Sequence, residues 1–252
     1  PLSAYADGRH GQAEVIVAET SSFQLDTIAD FRPATAVVLN ITDDHLDRYP
    51  SFEAYAESKW RILENQRPMD AAIFNALDVT VKAMLSKRPP KSRRLMFSDR
   101  AVANGAQILT DKILLSADGR PAGEFSLAKA SLMGPHNREN IAAACLAARE
   151  QGATDTGIQG TIDTFKALAH RLEAVGEVRG IRFVNDSKAT NVDAVKRALE
   201  CFDGPVVLIM GGLNKKGDFS QLKSQVRRRV KTLVAMGQAR DEIITALAGD
   251  PE

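Results

Sequence analysis

Short apolar runs alternate with helix-forming segments along the chain. Apolar runs at residues 13–18, 35–40 and 71–74 predict buried strands. Amphipathic segments at 52–64, after a capping Ser51, and at 79–86 predict the helices between them. Because parallel strands need a crossover connection, this alternation favours an α/β fold built on a mostly parallel central sheet.

A stretch of shorter apolar pieces follows between residues 94 and 127. Asn-Gly and Asp-Gly pairs separate these pieces and are typical of β turns. We expect a small β appendage on the first domain. An Ala-rich helix is then predicted at 137–151, where Gly152 ends it.

The pattern changes near His170. Two β-like segments flanking Arg179-Gly180 predict a hairpin, and helices and strands alternate after it. The predicted segments are strands 173–178, 181–185, 206–210 and 232–236, and helices 192–199, 219–230 and 240–247. We therefore predict a central sheet domain over 1–170 and a partial Rossmann-like α/β domain over 171–252.

Both predicted domains are expected to be incomplete. A sheet of two or three parallel strands rarely stands alone, so the second domain is expected to continue beyond residue 252. The polar first twelve residues have no initiating methionine and no apolar core of a signal peptide. We expect the first domain to begin earlier in a longer parent protein.

The overall charge gives no support for a partner that is bound mainly through charge. The 252 residues include 33 Lys and Arg against 32 Asp and Glu, a net charge of +1, which gives no general attraction to nucleic acid or a membrane surface. No apolar run approaches the roughly 20 residues of a membrane span. Cys145 and Cys201 lie far apart in apolar helical patterns, which predicts buried thiols in a reducing compartment.

Two polar stretches follow predicted strands of the first domain. Glu19 ends the 13–18 run, where open α/β sheets place their ligands, and either a Mg²⁺ ion or the start of the next helix would supply its partner. Residues 40–49 hold three Asp carboxylates, His45 and Arg48. This composition suits a metal and phosphate site, but a solvated acidic loop with a capping Asp is the commoner outcome for such runs.

Two helical positions add polar groups to the first domain. Lys59 shares a helix face with apolar neighbours, and periodicity alone favours a surface lysine whose stem covers them. Residues 134–140, Gly-Pro-His-Asn-Arg-Glu-Asn, open the 137–151 helix. Their amides and the free N–H groups of the first turn suit a nucleotide, but capping by His136 or Asn137 explains them equally.

Two polar loops of the second domain each lie between a predicted strand and a helix. Residues 185–191 suit an anion site that uses Lys188 and the helix N-terminus, while Thr190 and Asp193 also resemble a capping box. Residues 211–219 combine glycines with Lys215. This loop is not a Walker A sequence, which the chain lacks throughout, and a glycine-rich turn is weak support for a ligand site.

Together these stretches closely resemble the Mur ligase family. The 185–191 stretch distinguishes the members that add D-glutamate from other Mur ligases and from folylpolyglutamate synthetases. The matching stretches are ETSSFQL (19–25), NITDDHLDRY (40–49), SKWRILEN (58–65), GPHNREN (134–140), AHRLE (169–173), NDSKATN (185–191) and GGLNKKGDF (211–219).

The resemblance implies an ATP- and Mg²⁺-dependent ligase that forms an amide between UDP-N-acetylmuramoyl-L-alanine and D-glutamate through an acyl phosphate. It implies a cytoplasmic, monomeric enzyme of peptidoglycan synthesis, with no nucleic-acid or membrane partner. It also implies that Glu19 and His45 are catalytic metal ligands. Lys59 matches a lysine that is carbamylated in the family and then acts as a further metal ligand.

The resemblance assigns the remaining residues to two substrates. Asn137, Asn140, Arg171 and Asp186 match positions around the nucleotide of ATP. The D-glutamate pocket is matched by Lys188, Thr190 and Lys215. Two lysines and a hydroxyl suit a dicarboxylate substrate, because each ammonium group pairs with a carboxylate.

The chain departs from the family pattern at both ends. It lacks the family's N-terminal domain, its Walker A loop and its final strands, so we predict that the 252 residues alone do not turn over. Two alternatives stay open at this point. One is a ligase of the same superfamily for another amino acid, and the other is an inactive nucleotide-binding or regulatory module.

Overall fold

Helices and strands alternate through residues 13–42, 48–132, 134–214 and 217–248, which are those that the computed structural model describes. These residues form two compact units. The first unit runs to Ser126 and includes Ile141–Gly160, and the second comprises Leu127–Asn140 and the residues from Thr161 onward. The domains 1–170 and 171–252 stay a prediction.

One six-stranded sheet lies in the first unit, with its strands in sequence order. The first four strands are parallel and the last two antiparallel. The strands are β1 (Thr35–Val38), β2 (Ala71–Asn75), β3 (Arg93–Ser98), β4 (Gly105–Ile108), β5 (Lys112–Ala117) and β6 (Arg120–Ser126). The α/β class is confirmed. The β segments predicted between residues 94 and 127 are not a separate appendage: they form β3 to β6 of this sheet, and only β5 and β6 are antiparallel.

Within the described residues, five α-helices contribute to the first unit. They are α1 (Ser22–Leu25), α2 (Phe52–Trp60), α3 (Val79–Lys87), α4 (Pro135–Glu150) and α5 (Asp155–Thr164). Ser51 caps α2 by accepting a hydrogen bond from the Ala54 N–H, as predicted. Sequence analysis missed α5, because its two glycines lower its helix propensity. Among the described residues, no helix is both long and apolar enough to cross a bilayer.

The core of the first unit forms where α2 and α3 pack on the sheet. Every residue of β2 is buried, which is typical of a parallel strand covered on both faces. Trp60 of α2 stacks on Phe74 with 5.4 Å between ring centroids. Its indole N–H donates to the Arg88 carbonyl at 2.9 Å, so the largest core side chain has no unsatisfied donor.

The strand predicted at residues 13–18 is wrong. These residues are exposed and irregular, and Val17 is 94% accessible to solvent. The neighbouring strand β1 lies at the edge of the sheet and pairs only with β2 among the described strands. In the described part of the chain, residues 13–18 do not add a strand to this open edge of β1.

The described residues of the second unit form two small sheets. Strands β7 (Glu173–Val178) and β8 (Ile181–Asn185) form the predicted antiparallel hairpin. Strands β9 (Val206–Gly211) and β10 (Val230–Met236) are parallel. Helix α6 (Val192–Leu199) precedes β9, a 3₁₀ turn (Phe219–Leu222) leads into α7 (Lys223–Arg229), and α8 (Arg240–Leu247) follows β10.

The turns after β9 and β10 pack against each other and require glycine. Gly212 and Gly237 have φ angles of +109° and +73°. A Cβ on Gly237 would lie 2.8 Å from the Gly212 nitrogen, closer than any side chain allows. The Ala239 N–H donates to the Gly212 carbonyl at 2.9 Å. The close approach of the two backbones thus explains why glycine is needed at both positions, without a bound ligand.

Candidate functional site

Glu19 lies just before α1, in the exposed segment of the first unit. It does not cap α1: Ser21 does so, in a capping box with Gln24. The Glu19 carboxylate is exposed and offers the hard oxygen ligand that Mg²⁺ prefers. Its predicted position at the end of a strand is wrong, but its chemistry suits a cation.

A hydrogen-bond network joins α1 to α2. The Tyr49 hydroxyl is 2.7 Å from the Asp26 carboxylate and 3.1 Å from the Ser58 hydroxyl. Ser58 in turn donates to the Ser22 carbonyl at 3.0 Å. The stretches 19–25, 40–49 and 58–65, which were singled out separately from sequence, therefore meet in one part of the first unit.

Lys59 follows Ser58 on α2 and is half-buried. Its ammonium nitrogen lies 5.1 Å from the centroid of the Tyr55 ring, a cation–π distance. This contact makes the Lys59 side chain less mobile than that of a lysine whose ammonium group extends into solvent. An ammonium group does not bind Mg²⁺, so Lys59 fits a metal site only if its nitrogen is carbamylated.

The 40–49 loop is only partly described. His45 lies outside the described residues, together with the three Asp residues of the loop. At its start, the Ile41 N–H donates to the Asp78 carboxylate at 3.4 Å. At its end, the Arg48 guanidinium lies 4.8 Å from the centroid of the Phe23 ring. Within the described part of the chain, no three His, Cys, Asp or Glu side chains form a metal-binding group.

The first turn of α4 belongs to the second unit. The Asn140 amide donates to the Asn137 amide oxygen at 3.3 Å, so the two residues predicted to contact the nucleotide are adjacent. His136, beside them, has a pKa lowered by burial and by the nearby Arg197 charge, although Asp186 opposes the shift. The helix that follows the Asp186 loop, α6, contacts this turn: Arg197 lies 3.8 Å from the Glu139 carboxylate.

Asp186, in the 185–191 loop, is partly buried and hydrogen-bonded. Its carboxylate accepts a 3.0 Å hydrogen bond from the Leu172 N–H. Burial raises the pKa of this carboxyl group, while the Leu172 hydrogen bond and the His136 and Arg171 charges lower it. Buried carboxylates with opposing influences of this kind are common at functional sites.

The turn at 169–173 packs onto the same loop. The Lys188 N–H donates to the His170 carbonyl at 3.1 Å, and the Asn185 amide is 2.8 Å from the His170 ring nitrogen. His170 and Leu172 both have positive φ angles, +67° and +46°. This backbone is strained for residues with a Cβ, and the hydrogen bonds hold it in place.

The residues predicted to bind D-glutamate are exposed where the structure describes them. Lys188 and Thr190 both have accessible side chains. The predicted cap at Thr190 is wrong: α6 is capped by Asn191, whose side chain accepts from the Ala194 N–H. This leaves the Thr190 hydroxyl available to a ligand. Lys215 lies outside the described residues.

Sequence reasoning missed a cluster of charges between α4 and α6. Arg197 contacts Asp193 and Glu139, with nitrogen to oxygen distances of 2.9 and 3.8 Å. The Asp193 contact follows the i, i+4 spacing and could have been found from sequence. The Glu139 contact joins residues 58 positions apart, and no local pattern marks it.

Two family models match the chain. The Mur ligase middle domain matches residues 2–148. The Mur ligase, glutamate ligase domain matches residues 170–251.

Curated relatives match the chain over nearly all of its residues. The UDP-N-acetylmuramoylalanine–D-glutamate ligase of Desulfatibacillum aliphaticivorans is 46% identical over 100% of this chain and 56% of its own length. The enzyme of that name from Desulfosudis oleivorans is 43% identical over 99% of this chain and 54% of its own. The chain thus spans about half the length of these relatives.

A solved structure supports the fold. MurF from Acinetobacter baumannii matches with a TM-score of 0.69 and 18% identity, over 85% of this chain and 49% of its own. At that identity the likeness concerns the architecture alone.

Proposed function

The chain belongs to the Mur ligase family, and we propose that its protein joins D-glutamate to UDP-N-acetylmuramoyl-L-alanine, using ATP. The observation that carries the proposal is the meeting of two stretches in the second unit. Helix α6, which begins directly after the 185–191 loop, contacts the first turn of α4 through Arg197 and Glu139, with 3.8 Å between nitrogen and oxygen. Relatives 46% and 43% identical bear the name of this ligase.

The proposed reaction proceeds in two steps. The terminal phosphoryl group of ATP passes to the carboxylate of the alanyl residue, which gives an acyl phosphate and ADP. The amine of D-glutamate then attacks the acyl carbon and loses a proton. Phosphate leaves with one of the original carboxylate oxygens, so its departure drives formation of the amide.

The second unit supplies recognition groups for both substrates. Asn137 and Asn140 offer adjacent amides to the adenine end of ATP, and Arg171 and Asp186 complete that assignment. The exposed ammonium group of Lys188 and the hydroxyl of Thr190 suit the carboxylates of D-glutamate. Lys215 is assigned to the same pocket from its motif.

The first unit is proposed to hold magnesium. Glu19 offers an accessible carboxylate, and a carbamate on Lys59 would provide similar oxygens; His45 is the further proposed ligand. When bound, Mg²⁺ offsets the negative charge of the phosphates. The chain's own part is to hold these ligands in place, which the Ser58–Ser22 hydrogen bond supports by joining their segments.

We also propose that this protein acts as a monomer in the cytoplasm. Cys145 and Cys201 are both thiols, which agrees with a reducing compartment. Burial raises the pKa of Cys145 to about 12, so this thiol is unreactive. The substrates are small molecules, and the net charge of +1 gives no reason to expect nucleic acid.

Phosphate release by the full-length gene product tests the proposal. The protein is supplied with ATP, Mg²⁺ and UDP-N-acetylmuramoyl-L-alanine, and then with D-glutamate, L-lysine, diaminopimelate or L-glutamate in turn. We expect release with D-glutamate alone. Preference for another amino acid would assign a different ligase, and no release with any of them would favour an inactive nucleotide-binding module.

A further inference from the structure

A half-buried cluster of charges joins α4 to α6 within the second unit. The Arg197 guanidinium lies 2.9 Å from the Asp193 carboxylate and 3.8 Å from that of Glu139. The side chains of Arg197 and Glu139 are only 28% and 18% exposed. A pair with this little solvent is screened less than a surface pair, so its loss has a larger effect.

The position of each partner gives the cluster its significance. Glu139 lies between Asn137 and Asn140 in the first turns of α4. Asp193 and Arg197 lie on α6, which begins directly after the loop that carries Asp186. Arg197 thus connects two segments that are proposed to contact the same nucleotide, although it lies in none of the seven stretches that match the family.

We infer that Arg197 is a positioning residue that holds the first turn of α4 and the 185–191 loop in register for the nucleotide. This inference rests on the proposed function, because it takes the assignment of Asn137, Asn140 and Asp186 from it. Arg197 acts through Glu139 and touches no substrate. Without its charge, Glu139 would remain partly buried with less compensation, and the turn would shift to hydrate it.

His136 supports this description of the cluster. It lies close enough to Arg197 for the positive charge to lower its pKa, after burial, which is the larger cause. A lowered pKa favours the uncharged ring, which does not repel the guanidinium beside α4. The cluster therefore combines Arg197 with two carboxylates, and His136 lies near it at the start of α4.

The test uses Arg197→Gln in the full-length gene product, with Arg240→Gln as the matched control. Arg240 lies in the same unit and pairs with Asp241 at 3.9 Å, but both side chains are exposed. We expect Arg197→Gln to raise the KM for ATP about fivefold and to weaken ADP binding in calorimetry equally. The kcat and the KM for D-glutamate should change less than about twofold, and Arg240→Gln should change nothing.

A double-mutant cycle with Glu139→Gln identifies the route. If Arg197 acts through Glu139, the double variant binds ADP no more weakly than Arg197→Gln alone. Arg197→Lys, which keeps the charge but not the fork of donors, should fall between the wild type and Arg197→Gln.

Three results would overturn the inference. ADP affinity that is unchanged in Arg197→Gln is one, and multiplied effects in the double variant are another. A fall in kcat together with equal rises in the KM for ATP and the KM for D-glutamate would show a general structural role. Failure of the proposed function is recognised separately, because the wild type would then release no phosphate with D-glutamate while ADP calorimetry still tests the cluster.

Discussion

The Ser58 hydroxyl donates a 3.0 Å hydrogen bond to the main-chain carbonyl of Ser22. The two residues are 4% and 2% exposed, so the bond is shielded from water. It joins α2, which carries Lys59, to α1, which follows Glu19. One short contact thus holds two proposed magnesium ligands on connected segments, although neither serine is itself a proposed ligand.

Replacing Ser58 with Ala should lower the free energy of unfolding by about 1 kcal/mol, because buried polar groups lose a partner. Chemical denaturation measures this change. Ser86→Ala is the control, since the Ser86 hydroxyl is exposed and donates to a carbonyl of its own helix. Equal stability of the Ser58 and Ser86 variants would show that the bond contributes nothing.

Replacing Gly237 with Ala should destabilise the second unit by roughly 1–3 kcal/mol. The new Cβ would meet the Gly212 nitrogen at 2.8 Å, in a backbone with φ of +73°. Thermal unfolding followed by circular dichroism checks the result. Gly204→Ala is the matched control, because a Cβ there meets no atom within 4 Å. A melting temperature equal to that of the control would contradict the close packing of the two turns.

Strands and helices with local signals were predicted well. The hairpin of β7 and β8 and the helix α6 have the predicted bounds, because a tight Arg-Gly turn and a polar capping segment mark them along the sequence. Residues 13–18 show the opposite case. Their apolar composition predicts a strand. A strand must also pair with a neighbouring strand, and the sequence of the run does not show whether it does.

The candidate site likewise contains residues that a local motif marks and contacts that only folding creates. Motif wording assigned Asn137, Asn140 and Asp186 to one nucleotide site. The two asparagine amides are 3.3 Å apart, and the assignment itself stays a prediction. The contact of Arg197 with Glu139 depends on two helices meeting, so it is invisible to local spacing. The roles of His45 and Lys215 stay predictions from sequence.

Asp186→Asn should stabilise the fold at neutral pH. Burial raises the pKa of the Asp186 carboxyl group in the folded state, so the folded state favours its protonated form. The stability that the protonated Asp186 carboxyl group contributes is fully present below the unfolded pKa of 3.8. It is lost as pH rises through the higher folded pKa. The amide keeps an oxygen for the Leu172 N–H and carries no charge to bury.

Melting temperatures of Asp186→Asn and the wild type between pH 3 and 8 check this prediction. The advantage of the variant should be largest near neutral pH and vanish at the acid end. The exposed Asp203→Asn should show no such trend. The same Asp186 variant should bind ATP more weakly, if the carboxylate serves the nucleotide. A variant less stable than the wild type at pH 7 would contradict the burial argument.

Lys59→Ala in the full-length gene product should reduce kcat by at least about 100-fold, because a metal ligand would be lost. Short carboxylates such as acetate should partly restore the rate by occupying the place of the carbamate. Lys82→Ala, an exposed lysine on α3, is the control. A normal rate in the Lys59 variant would rule out its role in magnesium binding, and a loss without rescue would favour a packing role beside Tyr55.

Transfer of labelled oxygen tests the central claim most directly. UDP-N-acetylmuramoyl-L-alanine carrying ¹⁸O in its carboxylate is incubated with the full-length protein, ATP, Mg²⁺ and D-glutamate, and the products are examined by mass spectrometry. Ligation through an acyl phosphate predicts one ¹⁸O atom in each phosphate released, together with a product that is heavier by one D-glutamyl residue. Unlabelled phosphate, or ATP hydrolysis without the D-glutamyl product, would contradict the proposed function.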